Sequence, residues 1–193
     1  MNIRNLALAD FGPRPSGLQW EVSPKAAAAW KPISAAADDG VATLDIFERI
    51  GEDPWDGTGM TAKRVSGILR SIGKNPLIAR INSPGGDVFE GLSIFNLLRE
   101  HPADVTVKVM GIAASAASII AMAGDRVEMG IGSMLMIHNS ACIGIGNRFE
   151  FSKMVDYLGK VDASMRSIYT ARTGRKDEDV AALLDAETFL TAE

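Results

Sequence analysis

Cysteine occurs once in the 193 residues, as Cys142, and histidine twice, as His101 and His138. One cysteine excludes an internal disulfide and any cysteine metal cluster, and a reducing cytoplasm is the plain reading. No apolar run approaches the roughly 20 residues that span a bilayer. The first ten residues, Met1–Asp10, carry too short an apolar stretch and too early an acid for a secretory signal. No basic stripe is present and the net charge is −4, which excludes nucleic acid as the main partner. No internal repeat has a solenoid period. Nothing in the chain calls for a cofactor or a metal. The apolar fraction of 47% and charged fraction of 23% are those of an ordinary globular protein, long enough for one domain with a full core or one domain plus an arm.

Residues 1–40 read as that arm. They carry Pro13, Pro15, Pro24 and Pro32 among short alanine runs with no sustained period, so they are expected to be poorly ordered on their own, a leader or an oligomer-contacting segment. The folded domain is expected over 41–193. Val41–Phe47 alternates as a strand, and Val65, Ile68, Leu69 and Ile72 mark a helix closed by Gly73. Leu77–Asn82 is the next strand, leading into Ser83-Pro84-Gly85-Gly86. Asp87 and Glu90 then form a capping box ahead of a helix. Strand 105–110, a small-residue helix opening at Ser115, and short strands 126–129 and 134–138 follow. This β-α-β-α-β-α-β order predicts parallel strands with right-handed crossovers. A second capping box, Asn147 and Glu150, starts a long helix with Phe151, Met154, Val155, Leu158, Val161, Met165, Ile168 and Tyr169 on its stripe, ending at Gly174. Asp177–Leu184 is a short last helix.

Three features carry candidate chemistry. Ser115 follows an apolar strand and opens a helix, where free N–H groups and the positive helix end converge. A serine there serves as nucleophile, helix cap or packing filler, and position alone favours the cap. Ser118 lies one turn further on as a second hydroxyl. His138 ends a strand where a parallel sheet opens its crevice, whereas His101 lies in a charged helix end before Pro102. Pro84-Gly85-Gly86 has the look of a phosphate-binding turn, but the G-K-[ST] of a P-loop is absent, which excludes ATP hydrolysis.

The set Ile81-Asn82-Ser83-Pro84-Gly85-Gly86, Gly111-Ile112-Ala113-Ala114-Ser115 and Met136-Ile137-His138-Asn139 resembles the ClpP family of serine peptidases. The resemblance runs from about residue 41 to the end, with Gly86 and Ser115 29 positions apart and Ser115 and His138 23 apart. It implies an α/β fold, a ClpP/crotonase-like spiral of repeated β-β-α units with an additional long helix. It implies Ser115 as nucleophile rather than Ser118, His138 as general base, the N–H groups of Gly86 and Ala116 as oxyanion donors, and Gly85 and Asn139 as substrate contacts. The family's acidic triad member precedes an aromatic-x-Ser-Ala segment. The matching register here gives Glu187, with Asp185 as the alternative. Thr170–Gly174 and Glu187–Ala192 resemble the phage branch, the prohead or head-maturation proteases. The implied activity is endopeptidase cleavage of capsid, scaffold or unfolded protein in the host cytoplasm or prohead, by homo-oligomeric rings of seven or fourteen subunits. A Clp ATPase partner stays open. Relatives continue with a closing helix and strand, so the resemblance also implies a shortened C-terminus. Two other readings share the fold: a crotonase-like acyl-CoA enzyme, working through carboxylates, and an inactive ring-assembly protein.

Overall fold

A computed structural model describes residues 41–53 and 57–192. The expected arm, residues 1–40, lies outside the described residues, as does Glu193. The elements run β1 (Ala42–Ile46), α1 (Ala62–Ile72), β2 (Leu77–Ser83), α2 (Val88–Arg99), β3 (Val105–Ala114), α3 (Ala116–Ala121), β4 (Arg126–Met129), β5 (Met134–Ile137), α4 (Arg148–Thr173), α5 (Asp177–Asp185) and β6 (Thr188–Thr191).

Six strands form one mixed sheet in the order β1-β2-β3-β5-β6, with β4 paired to β3 off that path. The pairs β1–β2, β2–β3, β3–β4 and β3–β5 are parallel, as the alternation of strands and helices leads one to expect. The β5–β6 pair is antiparallel, Met136 opposite Phe189. β6 is an addition to the expected order, because four residues of mixed character carry no period of their own.

β3 is longer than its sequence suggests. It runs through Gly111 to Ala114 instead of stopping at Met110. A Cβ at Gly111 would lie 2.6 Å from Asn82 Oδ1, so the glycine there makes room for a side chain, and the strand continues. The same Asn82 oxygen accepts from the Ile112 N–H (3.2 Å) across a register shift between β2 and β3. The first half of β3 (Thr106–Val109) pairs with β4 and the second (Ile112–Ala114) with β5.

The helix boundaries follow local chemistry. Gly73 caps α1 at φ 72° and Gly174 caps α4 at φ 67°. Asn147 and Glu150 make the reciprocal capping box at the start of α4. At α2 only half of the expected box forms. Asp87 accepts from the Phe89 and Glu90 N–H groups, but the Glu90 carboxylate accepts instead from the Ala62 N–H and ties α2 to α1. The core is Leu44, Ile46, Leu77, Ile81, Ile94, Leu98, Val107, Ile119, Ile120 and Leu135, each 1% exposed or less. Each Leu or Ile among them contributes about 1.5–3 kcal/mol relative to exposure. In α4 only Val161, Met165 and Tyr169 are buried, while Phe149, Phe151, Val155 and Tyr157 at its start are exposed.

Candidate active site

The turn after β2 is built by a serine that sequence reasoning left unassigned. Ser83 is wholly buried. Its hydroxyl donates to the Glu48 carbonyl (2.6 Å) and accepts from the Gly85 N–H (3.2 Å). The turn is then stitched to the segment after β1, with the Ile50 N–H donating to Gly85 and the Asp87 N–H to Ile50, both at 2.9 Å. Gly86 has φ 150°, and a Cβ there would meet the Ile50 carbonyl at 2.1 Å. A Cβ on Gly85 would meet the Ala114 carbonyl at 2.5 Å, Ser115 Cβ at 2.7 Å and the Ala116 nitrogen at 3.0 Å. Gly85 therefore brings bare backbone against the Ser115–Ala116 peptide and Gly86 against the Ile50 carbonyl, approaches that side chains forbid.

Ser115 occupies the junction between β3 and α3 at φ 53°, ψ −125°, a conformation that non-glycine residues avoid. Its side chain makes no capping bond to the helix. Its hydroxyl lies 2.7 Å from His138 Nε2, at the end of β5. The geometry thus departs from the cap that position alone favours. The adjacency of β3 and β5 brings the two residues together, and the Ser115 N–H donates to the Met136 carbonyl (2.9 Å) to fix the strand ends. Both residues are partly exposed. Among the described residues, neither the Gly86 N–H nor the Ala116 N–H has an acceptor. α3 has only six residues, so its dipole is small and the N–H groups themselves carry the attraction for negative charge.

The remaining expected residues divide. Ser118 is fully buried, its hydroxyl donating to the Ser115 carbonyl (2.6 Å) and lying 2.8 Å from the Tyr169 hydroxyl. Asn139 donates through Nδ2 to Asp185 Oδ1 at 2.7 Å, so the two are partners of one another. Glu187 stands at φ 47° between α5 and β6. Among the described residues no hydrogen bond joins His138 to a carboxylate. The chain after His138 is anchored by Asp162 of α4, whose Oδ1 accepts from the Ser140 N–H (2.7 Å) and hydroxyl (2.6 Å). Asp162 had no sequence signal beyond its place on the polar flank of the α4 stripe. His101, away from the site, pairs with the Asn75 carbonyl at 2.9 Å.

A hydroxyl at a strained turn, an imidazole in hydrogen-bond reach and two free backbone donors are parts that acyl transfer uses. The chain is 31% identical over 123 residues to ATP-dependent Clp protease proteolytic subunit 3 of Rhodococcus jostii, covering 62% of this chain and 60% of that protein. It is 27% identical over 165 residues to the ATP-dependent Clp protease proteolytic subunit of Deinococcus radiodurans, covering 80% and 81%. Against the Rhodococcus relative the chain spans about three fifths of the length. The fold is similar to that of a point mutant of ClpP1 from Listeria monocytogenes, with a TM-score of 0.66 and 23% identity over 77% of this chain and 82% of that one. The family profile described as Clp protease matches residues 68–193, more than half of the chain, and the chain belongs to the Clp protease family.

Proposed function

We propose that the protein is a serine endopeptidase that cleaves peptide bonds through an acyl-enzyme on Ser115. The observation that carries this reading is the 2.7 Å contact between Ser115 Oγ and His138 Nε2 beside two unengaged backbone N–H groups. His138 takes the hydroxyl proton as Ser115 Oγ attacks the scissile carbonyl. The carbonyl oxygen becomes the oxyanion, received by the Gly86 and Ala116 N–H groups. His138 then returns the proton to the leaving amine, and water repeats the sequence to release the acyl group. Gly85 and Asn139 border the bound peptide, which lies extended beside the turn as an added strand.

Glu187 is the acid that orients His138 in this reading, by its register before Thr188-Phe189-Leu190. Asp185 is the alternative and must first release Asn139. Where an acid of this kind has been replaced by its amide, turnover falls by about 10⁴. Glu187→Gln is expected to approach that loss in peptide turnover and Asp185→Asn to fall well short of it; the reverse order assigns the role to Asp185.

The finer reading is a head-maturation protease acting on phage capsid or scaffold protein in the host cytoplasm or prohead. It is supported by the Thr170–Gly174 and Glu187–Ala192 sequences. Its subunits assemble into rings, a reading supported by the exposed Ile143, Ile145, Phe149 and Val155 in the loop and first turns of α4. The test is labelling with a fluorophosphonate probe, together with turnover of a purified capsid or scaffold substrate, with and without a Clp ATPase. Ser115→Ala is expected to abolish both, and undiminished cleavage by that variant sinks the proposal.

A further inference from the structure

The backbone at Ser115 is held from inside the molecule. Its N–H is tied to β5, and its carbonyl accepts from both the Ser118 N–H (2.9 Å) and the Ser118 hydroxyl (2.6 Å). The Ser118 oxygen lies 2.8 Å from the hydroxyl of Tyr169, which reaches it from α4. A serine hydroxyl has one hydrogen to give. With that hydrogen on the Ser115 carbonyl, Tyr169 is the donor of the second bond. The chain then runs in one direction, from Tyr169 O–H to Ser118 Oγ–H to the Ser115 carbonyl. Ser118 is 0% and Tyr169 4% exposed, so water does not compete for either bond. Burial raises the Tyr169 pKa, and the phenol keeps its proton throughout the neutral range.

The Ser115 carbonyl and the Ala116 N–H belong to the same peptide unit. That unit is planar and trans, so the two bonds point in opposite directions. A clamp on the carbonyl, turned into the core, therefore fixes the direction of the N–H, turned toward the Gly85–Gly86 turn. Hydrogen bonds in series also polarise one another, which makes that N–H a better donor.

We propose that Tyr169 and Ser118 are positioning residues for the oxyanion hole: they set the Ala116 N–H by clamping the opposite end of its peptide. The proposal rests on the active-site reading above. It also makes α4 part of the catalytic frame, since a shift of this helix moves Tyr169 and, through it, the donor.

Tyr169→Phe removes one hydroxyl and keeps the ring, so the chain keeps its core. Kinetics on a short peptide ester and inhibition by the matching peptide aldehyde, whose adduct carries an oxyanion, separate the effects. Tyr169→Phe is expected to lower kcat by about 2–10-fold, the range for one lost hydrogen bond. KM stays unchanged, and aldehyde affinity falls in parallel because the clamp acts on the transition state. The Ser118→Ala, Tyr169→Phe double variant is expected to lose no more than the worse single variant, since both break one chain. Unchanged kcat and aldehyde affinity in folded Tyr169→Phe, or losses that multiply in the double variant, overturn the proposal while leaving the active-site reading intact. A wild-type chain that neither turns over the ester nor takes up a fluorophosphonate overturns that reading and this inference with it.

Discussion

A single methyl group added at Gly85 tests how closely the turn and the nucleophile are fitted. The group would sit 2.5 Å from the Ala114 carbonyl and 2.7 Å from Ser115 Cβ, at φ +88°. Both neighbours are held by the sheet and neither yields without moving Ser115. Gly85→Ala is therefore expected to lower kcat/KM by at least the 10²–10³ or so that loss of one oxyanion donor costs, in a chain whose circular dichroism still reports the native helix content. Asp125 gives a second residue-scale prediction, in stability. Its carboxylate accepts from the Val105 N–H (2.9 Å) and pairs with Arg99 (2.9 Å), and these bonds, the backbone one foremost, hold its pKa below the usual 3.8. A depressed folded-state value means that the stabilisation is fully present above the unfolded value and is lost as pH falls through the folded one. Denaturant unfolding of Asp125→Asn should show lower stability than wild type near neutral pH, with the gap closing below about pH 4. A gap that does not change with pH contradicts the assignment. The side chain is half-exposed, so solvent screening keeps the effect modest.

At the scale of elements, the site depends on how closely α2 approaches α3. A Cβ on Gly91 would lie 3.0 Å from Ala116 Cβ and 3.2 Å from its carbonyl. Gly91→Val is expected to push the helices apart, costing about 1–3 kcal/mol by overpacking and lowering turnover through Ala116; a thermal scan and ester kinetics on the same sample check both. The helices and parallel strands were legible because each carries its own period and its own stop: Gly73, Gly174 and the Asn147 box sit where their chemistry requires. Ser115 and His138 were legible as a pair through spaced motifs, and the structure brings them to 2.7 Å. What escaped was set by tertiary contact. Nothing local in Asn82 or Gly111 announces that β3 continues, and nothing in Glu90 announces that it serves α1 in preference to its own cap. The Ser83, Ser118 and Asp162 bonds join residues 22 to 51 positions apart, and such pairings leave no periodic trace. β6 is four half-buried residues whose strand character comes from pairing with β5.

For the molecule as a whole, the stability margin of a domain is small, on the order of 5–15 kcal/mol. Ser115 holds its backbone at φ 53°, where glycine sits without penalty and serine at a cost of about 1–3 kcal/mol. Ser115→Ala and Ser115→Gly both lack the hydroxyl, so they differ at this residue in little but backbone freedom. The glycine variant is expected to melt higher than the alanine one by the equivalent of about 1 kcal/mol, read by calorimetry; equal melting temperatures would place the strain elsewhere. Ser115→Gly also loses the hydroxyl that the proposed chemistry needs, so it sheds strain and activity in one step. Folding therefore gives no protection to this serine. In a gene copy released from selection, drift at position 115 toward glycine meets no thermodynamic resistance, and a well-folded, inert relative is the natural endpoint of neglect.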